Sequence, residues 1–493
     1  MPKNIRVTPR KFTVFTEKNL EKIPQLSRFN KDEVLAMRAV AQVLPFRVND
    51  YVTDELIDWD RAPDDPMFQL TFPQPGMLPD GELDKMIDLI RTDADKIAIK
   101  SEARRIQHTL NPHPAGQKSM NVPQLEGIEV AGMQHKYRET VLFFPSAGQV
   151  CHTYCTYCFR WPQFVGLDDM KFAAKEADMM IRYLKKHPEV NSVLFTGGDP
   201  MVMKTKVLRR YLEPLLSEEL SHIVSIRIGT KAMAYWPQRF VNDADSDDLM
   251  KLFDEVHSAG RNLAIMAHYS HPVELSTPIA QAAVERVRNA GATVRCQAPL
   301  IRHVNDSAEA WASMWKRQVA LGAVPYYMFV ERDTGPRKYF EVGLGRAFEI
   351  FSEAYKRVSG LARTVRGPSM SCTPGKVLVD GVTEVAGKKV FVLKFIQGRN
   401  PDWVNQMFFA EYDANAHWID DLKPAFGETW PWQDELEQMK EKGWTGGGWS
   451  LDSQVQKRIS EHGHILFDSA AGMPNPAASA PSAGAAEQQE AAS

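Results

Sequence analysis

The sequence predicts an α/β fold: a partial (β/α)6 barrel with a mostly helical N-terminal extension and a C-terminal extension. Three observations carry this. From about residue 140, short apolar runs alternate with amphipathic stretches of helical period at roughly 30–50-residue spacing, the pattern of βα units on a parallel sheet. Six such units are too few to close an eight-stranded barrel, so a partial barrel is expected, with a doubly wound sheet as the alternative. Residues suited to chemistry recur just after the apolar runs, and ligands of parallel α/β folds gather at that end of the strands.

Residues 1–135 read as mostly helical, interrupted at Pro63, Pro66, Pro73, Pro75 and Pro79, with helical patches at Lys31–Val43 and Glu82–Asp93. Residues 136–370 make the barrel. Its strands are expected at Thr140–Phe144, Ser192–Phe195, Ile223–Ile228, Asn262–Met266, Thr293–Ala298 and Pro325–Val330. Its helices are expected at Asp169–Lys186, Lys206–Leu216, Ser246–Ser258, Pro278–Asn289 and Ser307–Leu321. Ser246 with Asp247 and Asp248 suits a helix N-terminus, and Gly260, Gly291 and Gly322 suit helix ends. The strands are followed in turn by a cysteine run, G-G-D-P from Gly197, G-T-K from Gly229, H-Y-S-H from His268, Gln297 and E-R-D from Glu331. Residues 371–468 form the C-terminal extension. Its stretch 411–468, with Trp418, Trp430, Trp432, Trp444 and Trp449, is expected to pack on the barrel, to make an oligomer contact or to act as a substrate lid. Residues 469–493 are almost all Ala, Ser, Pro, Gly, Gln and Glu, cannot bury a core and are expected to be disordered.

With 493 residues, 44% hydrophobic and 25% charged, the composition is that of a soluble globular protein. A net charge of −3 gives no electrostatic basis for binding nucleic acid. No apolar run has transmembrane length and no leading basic-then-apolar segment is seen, so a cytoplasmic protein without membrane partners is expected. Five cysteines, three of them clustered, do not make a disulfide framework, and a reducing cytosol suits them.

The cluster is the most informative motif. Cys151, Cys155 and Cys158 lie in C-H-T-Y-C-T-Y-C-F-R-W. Three thiolates on one loop can hold three irons of a [4Fe–4S] cube and leave the fourth iron open to a small molecule. S-adenosylmethionine is the expected chelator and radical source. Zinc and plain structural cysteines are the alternatives. Zinc wants a fourth ligand at matched spacing, and only the isolated Cys296 and Cys372 remain. Gly197 and Gly198 allow close backbone approach, either to a ligand or in an ordinary turn. Arg160, two residues past the last cysteine, can pair bidentately with a carboxylate or lie on the surface. His268 and His271 suit a ligand site or a satisfied loop. Lys376, after Pro-Gly in S-C-T-P-G-K, can form a Schiff base, although most lysines are solvated.

Together with these motifs, H-K-Y-R-E-T-V-L from His135, T-G-G-D from Thr196, I-R-I-G-T-K from Ile226, P-Q-R-F from Pro237, H-Y-S-H-P from His268, L-I-R-H-V-N-D from Leu300, P-Y-Y-M-F from Pro325 and P-G-K from Pro374 resemble the lysine 2,3-aminomutase family of radical S-adenosylmethionine enzymes. The resemblance runs in the family's order over about residues 45–410. It implies a TIM-like radical S-adenosylmethionine barrel and an isomerase that moves an amino group from Cα to Cβ through a radical. That chemistry would use a [4Fe–4S] cluster, S-adenosylmethionine and pyridoxal 5'-phosphate. Carried over by position, Cys151, Cys155 and Cys158 would bind the cluster. Gly197, Gly198, Asp199, His268 and Gln297 would lie by S-adenosylmethionine. Lys136 and Tyr137 would lie by the pyridoxal phosphate group, Lys376 would bond that cofactor, and Arg160 would pair with the substrate α-carboxylate. The resemblance also implies a homo-oligomer and a flavodoxin or ferredoxin as electron donor.

The departures concern the substrate. Lysine-specific members hold the distal ammonium with two aspartates, and Arg332 and Ser369 stand at those positions here. A distal ammonium would meet a cation there, so an acidic or polar amino acid is expected rather than lysine. The glycine-rich run before the family's lysine is S-C-T-P-G here, and Thr140 stands where the family has a basic residue. Two other readings stay open: a radical S-adenosylmethionine enzyme without pyridoxal phosphate, and a non-catalytic iron–sulfur protein.

Overall fold

Eleven strands share one sheet, and the order in which they join it fixes where a site can form. In the computed structural model, which describes residues 10–112, 120–166, 173–174 and 177–441, a small ribbon pairs β1 (Val14–Thr16) with β2 (Arg47–Asn49), and another pairs β3 (Gln124–Leu125) with β4 (Ile128–Glu129). The large sheet runs β5 (Met133–Tyr137), β6 (Thr140–Phe143), β7 (Ser192–Phe195), β8 (Ser225–Thr230), β9 (Asn262–His268), β10 (Thr293–Leu300), β11 (Val324–Val330), β12 (Arg366–Ser371), β13 (Gly375–Val385), β14 (Lys388–Gly398) and β15 (Met407–Glu411), in that spatial order. Neighbours from β6 to β12 pair parallel; β5 at one edge and β13–β15 at the other pair antiparallel.

Helices link the successive parallel strands, and each new strand joins on the same side as the last. Right-handed crossovers then place the helices on one face. A doubly wound sheet requires a reversal of strand order, and β6 to β12 contain none, so that alternative is set aside. The sequence also undercounted the parallel strands. β12 is a seventh, and Pro368 within it argues against a strand interior. The divisions drawn at 135 and 370 fall inside β5 and β12, and the described residues belong to one compact unit. The tail 469–493, with Trp444 and Trp449, lies outside the described residues.

Local chemistry accounts for the helix bounds. Pro278–Asn289 opens with proline at its first position and a Thr277 hydroxyl accepting from the Ala280 N–H at 3.2 Å. The Ser307 hydroxyl does the same for Ala308–Ala320. Asn30 and Glu33 form a capping box at Lys31–Val43. Pro66 starts the helix Pro66–Thr71 instead of breaking one, because proline lacks only an N–H that a first turn leaves unused. The expected helix at Lys206–Leu216 ends as an α-helix at Leu212 and continues as a tight turn, since Pro214 cannot extend it.

Two central strands, β8 and the first part of β10, alternate in burial. In β8, Ile226, Ile228 and Thr230 are buried while Ser225, Arg227 and Gly229 are half-buried; in β10, Val294 and Cys296 are buried while Arg295 and Gln297 are half-buried. One face therefore packs an apolar core with the helices, and the other presents arginine and glutamine.

Candidate active site

The cysteine loop leaves the end of β6 and is held by distant segments. The Tyr154 N–H donates to the Arg47 carbonyl at 2.8 Å, and the Thr156 N–H and hydroxyl donate to Leu70 and Gln69 carbonyls at 3.0 and 2.8 Å. Asn49 donates its N–H to the Thr153 hydroxyl at 3.2 Å and its side-chain amide to the Tyr235 carbonyl at 2.8 Å. The N-terminal extension is thus a clamp on this loop. All three thiols are half-buried and free of disulfides. Burial, then the charge of Asp199 and of the other two thiolates, raises the Cys151 pKa, and burial with the Cys155 charge pushes Cys158 up to about 12. The three thiols lie within eight residues on this one loop.

G-G-D-P follows β7 and packs beneath that loop. A Cβ on Gly198 would stand 2.6 Å from the Gln149 carbonyl carbon and the Val150 nitrogen, so its bare Cα is needed by the cysteine loop itself. Gly197 has φ +152° and a Cβ there would meet the Gln149 amide at 2.3 Å. Asp199 is a brace: its carboxylate accepts from Met201 N–H at 2.9 Å, the Thr230 hydroxyl at 2.6 Å and Lys231 N–H at 2.9 Å. It ties the loop after β7 to the loop after β8.

Lys231, which the sequence offered within G-T-K after the third strand, and Glu274, which it did not single out, complete this layer. The Lys231 ammonium donates to a fully buried Glu274 carboxylate at 2.7 Å and to the Ser270 hydroxyl at 3.2 Å, over the Tyr235 ring at 4.5 Å. The Tyr235 hydroxyl lies 3.4 Å from the Cys155 sulfur. His268 ends β9, with Nδ1 3.1 Å from the Tyr157 hydroxyl. Burial and the Lys231 charge bring its pKa to about 3, so it is a neutral imidazole. Gln297 pairs in register with His268 on β10. His271 caps the turn Pro272–Leu275 by accepting from Val273 N–H at 3.4 Å.

Across the sheet, Lys376 opens β13 after a turn closed by Cys372 N–H to Gly375 O at 2.9 Å. Burial, then Arg227 and Arg366, lowers the Lys376 pKa to about 7. Its ammonium lies 4.2 Å from the Tyr327 ring centre. Lys136 donates to the Cys372 carbonyl. Arg399, also missed from sequence, is fully buried and donates to Thr373 O at 2.7 Å, Met120 O at 3.1 Å and Asn121 Oδ1 at 2.5 Å. Burial, then Arg399, Arg332 and Lys376 repulsion, lowers the Lys136 pKa well below normal. Tyr137, beside Lys136, has its phenol raised by burial.

Arg332 joins the two halves. Its guanidinium lies 5.4 Å from the ring of Phe159 on the cysteine loop, and its charge, after that of Arg399, opposes the charge of Lys136. The Asp333 carboxylate accepts from the Asn111 amide at 3.3 Å, and, after burial, its charge is the main influence on Arg332, supporting the guanidinium charge. Ser369 is fully buried and its hydroxyl donates to the Met328 carbonyl at 3.4 Å. Arg160 stacks on Phe144 at 4.3 Å, with Nε and one Nη buried and without a hydrogen-bond partner.

These residues fit the expected groups. No trio of His, Cys, Asp or Glu among the described residues is spaced for a single metal ion; a four-iron cube spreads its ligands more widely. Thiols kept protonated by burial become good ligands only beside strong positive charge, which a cluster supplies. A lysine brought near neutral pH is a competent amine nucleophile, and the hydrogen-bond donors Lys136 and Arg399 beside its turn suit a phosphate.

No family model matches the chain. It is 29% identical over 411 residues to a protein provisionally named L-lysine 2,3-aminomutase from Aquifex aeolicus, covering 83% of this chain and 95% of that one. It is 29% identical over 237 residues to the L-lysine 2,3-aminomutase of Bacillus subtilis and 28% over 237 residues to that of Fusobacterium nucleatum, spanning 47% and 52% of their lengths and 48% of this chain in each case. Among solved structures, a radical SAM methyltransferase from Sphaerobacter thermophilus aligns at 15% identity and a TM-score of 0.32, over 47% of this chain and 66% of that one; a score this low carries no argument.

Proposed function

Because the chain belongs to the lysine 2,3-aminomutase family of radical S-adenosylmethionine enzymes, a family of isomerases, we propose that it moves the amino group of an α-amino acid from Cα to Cβ, and that its substrate is acidic or polar. The single observation that supports this best is the position of Arg332, whose guanidinium lies over the Phe159 ring of the cysteine loop and whose charge opposes that of Lys136. Radical generation and amine chemistry need such a shared space. We read the singly wound sheet as the arc of a partial barrel enclosing it.

When bound, the cluster with S-adenosylmethionine supplies a carbon radical, and pyridoxal phosphate supplies a carrier for the migrating amine. The protein positions and excludes water. Cys151, Cys155 and Cys158 hold the cluster; Asp199, Lys231 and Glu274 fix the loops beneath it. His268 and Gln297 face S-adenosylmethionine, His268 as a neutral hydrogen-bonding group. Lys376 offers an unprotonated amine near neutral pH, and Lys136 with Tyr137 holds the phosphate. The unpartnered donors of Arg160 take the α-carboxylate.

The relatives are named for lysine. Arg332, close to Lys136, would repel a distal ammonium, a mismatch of several kcal/mol where water is excluded. The buried Ser369 hydroxyl is held by Met328. The test is anaerobic reconstitution with iron, sulfide and pyridoxal phosphate, then S-adenosylmethionine, dithionite and a panel of α-amino acids, with mass-spectrometric search for β-isomers. A β-isomer of an acidic or polar substrate that Lys376→Ala abolishes is expected. A β-isomer chiefly from lysine would overturn the substrate reading. Cleavage of S-adenosylmethionine with no isomer from any amino acid would overturn the mutase.

A further inference from the structure

Cys155 differs from the other two cysteines in its surroundings. The Tyr235 hydroxyl lies 3.4 Å from its sulfur, within hydrogen-bond reach of a sulfur acceptor. Among the described residues no side-chain hydroxyl makes such a bond to Cys151 or Cys158. Tyr235 is fully buried, and among the described residues that sulfur is the partner of its hydroxyl. A buried phenol is costly unless it is bonded, and a thiol is a poor acceptor. A thiolate is a far better one, and the thiolate is the form that binds iron. It has no proton to give, so the phenol is the donor. The Tyr157 hydroxyl, on the cysteine loop itself, is shared with His268 Nδ1 and the Ser270 hydroxyl at 3.1 and 3.2 Å. Tyr235 has no such competing partner among the described residues.

The fold holds this phenol at both ends. Tyr235 closes the short helix Ala232–Tyr235, in which the Ala232 N–H donates to the Thr230 hydroxyl at 2.9 Å. Its own N–H donates to the Lys231 carbonyl at 2.9 Å, and its carbonyl accepts from the Asn49 amide at 2.8 Å. The Lys231 ammonium lies over the ring, 4.5 Å from its centre. A cation there draws density from the ring and makes the hydroxyl a stronger donor. The Glu274 carboxylate, 2.7 Å from that ammonium, balances its charge. The ion pair therefore adds little net field at the sulfur, and the hydrogen bond is the directed influence.

We propose that the Tyr235 hydroxyl donates a hydrogen bond to the Cys155 sulfur of the iron–sulfur cluster and raises the cluster's reduction potential. Tyr235 acts through the ligand and is a positioning residue. The reduced cube carries one more negative charge than the oxidised one, so a donor at its sulfur favours the reduced form. The electron comes from a low-potential one-electron donor, and no bond forms or breaks. The inference rests on the cluster, and on neither pyridoxal phosphate nor the choice of amino acid.

The experiment is a redox titration of anaerobically reconstituted protein without S-adenosylmethionine, poised with dithionite and followed by electron paramagnetic resonance. Y235F is compared with wild type and with Y183F, which removes an equally buried phenol whose partner, at 2.7 Å, is His135 Nδ1. Iron and sulfide analysis and urea unfolding check loading and stability. In Y235F the equilibrium should move about tenfold toward the oxidised cluster, a fall of about 59 mV for one electron, with Y183F at the wild-type potential. An unchanged potential in Y235F would overturn the proposal, as would an equal fall in Y183F. A further sample covers a Y235F protein that does not load iron. Wild type grown with 3-fluorotyrosine keeps every hydroxyl and makes each a stronger donor; its potential should rise, and no rise overturns the proposal. Wild type that holds iron but no reducible cube would overturn the cluster assignment and the inference with it. The expected shifts without a β-isomer from any amino acid would leave the inference standing and remove the mutase reading.

Discussion

Gly198→Ala separates two roles for the G-G-D turn. If the bare Cα exists to admit S-adenosylmethionine, the substitution leaves the protein stable and able to load iron, and weakens only that ligand. The structure indicates otherwise. The added Cβ would stand 2.6 Å from two main-chain atoms of Gln149 and Val150 and 2.8 Å from a third, where ordinary contact begins at 3.4 Å. Main-chain atoms cannot rotate aside, so the cysteine loop and the turn must part by roughly 1 Å. Overpacking of this kind costs about 1–3 kcal/mol. The parting also stretches two hydrogen bonds, from Asp199 N–H to Gly148 O at 3.0 Å and to Val150 O at 2.9 Å, each worth about 1 kcal/mol. A total loss of about 2–4 kcal/mol in urea unfolding is expected, with reduced iron and sulfide after anaerobic reconstitution. Gly229→Ala is the control: its Cβ would find nothing nearer than 3.6 Å, and under about 1 kcal/mol is expected. Wild-type stability and iron content in Gly198→Ala would refute the packing argument, as would equal losses in both variants.

Glu274→Gln leaves the Lys231 ammonium buried without its carboxylate, a change worth about 3–5 kcal/mol; urea unfolding measures it, and a loss below 1 kcal/mol would show the pair to be solvated. The Lys376 amine, lowered to about 7 by burial and by Arg227 and Arg366, should take up pyridoxal phosphate at a rate rising about tenfold per pH unit below 7 and level above it. Because the unfolded chain keeps that proton to higher pH, the same group makes the cofactor-free fold more stable as pH rises from about 7 into the ordinary lysine range. A loading midpoint above pH 9 would contradict both statements. Arg399→Met removes three donors from Thr373, Met120 and Asn121, and should lower pyridoxal phosphate affinity about tenfold while iron content stays unchanged; equilibrium dialysis of the cofactor decides it.

What the sequence made legible follows from the range of the forces involved. Helices Ser246–Ser258 and Pro278–Asn289 appear at their expected bounds, because period and capping are local. The loop residues after each strand were also visible, since polar residues interrupt apolar runs there. Strand β12 was not, because R-G-P-S-M-S reads as a turn until β11 and β13 pair with it on both sides. The braces were invisible for a similar reason. Arg47, Asn49, Gln69 and Leu70 hold the cysteine loop mainly through main-chain atoms, which leave no residue-type signature. Glu274 and Arg399 are single charged residues whose partners lie 43 and 278 positions away, and nothing in their neighbourhoods distinguishes them from surface charges.

One signal was present and went unread. Arg227 sits between Ile226 and Ile228, and Arg295 between Val294 and Cys296, in strands whose other face is buried. An arginine in the middle of such a run conflicts with a purely structural strand, because period two places it on a face that must then accommodate charge. A surface-facing sheet would resolve the conflict with water and with paired acids. Here both residues are half-buried, and among the described residues neither forms an ion pair with a carboxylate. The conflict therefore persists in the folded protein, and period two marks both arginines as strand positions that apolar packing alone does not explain.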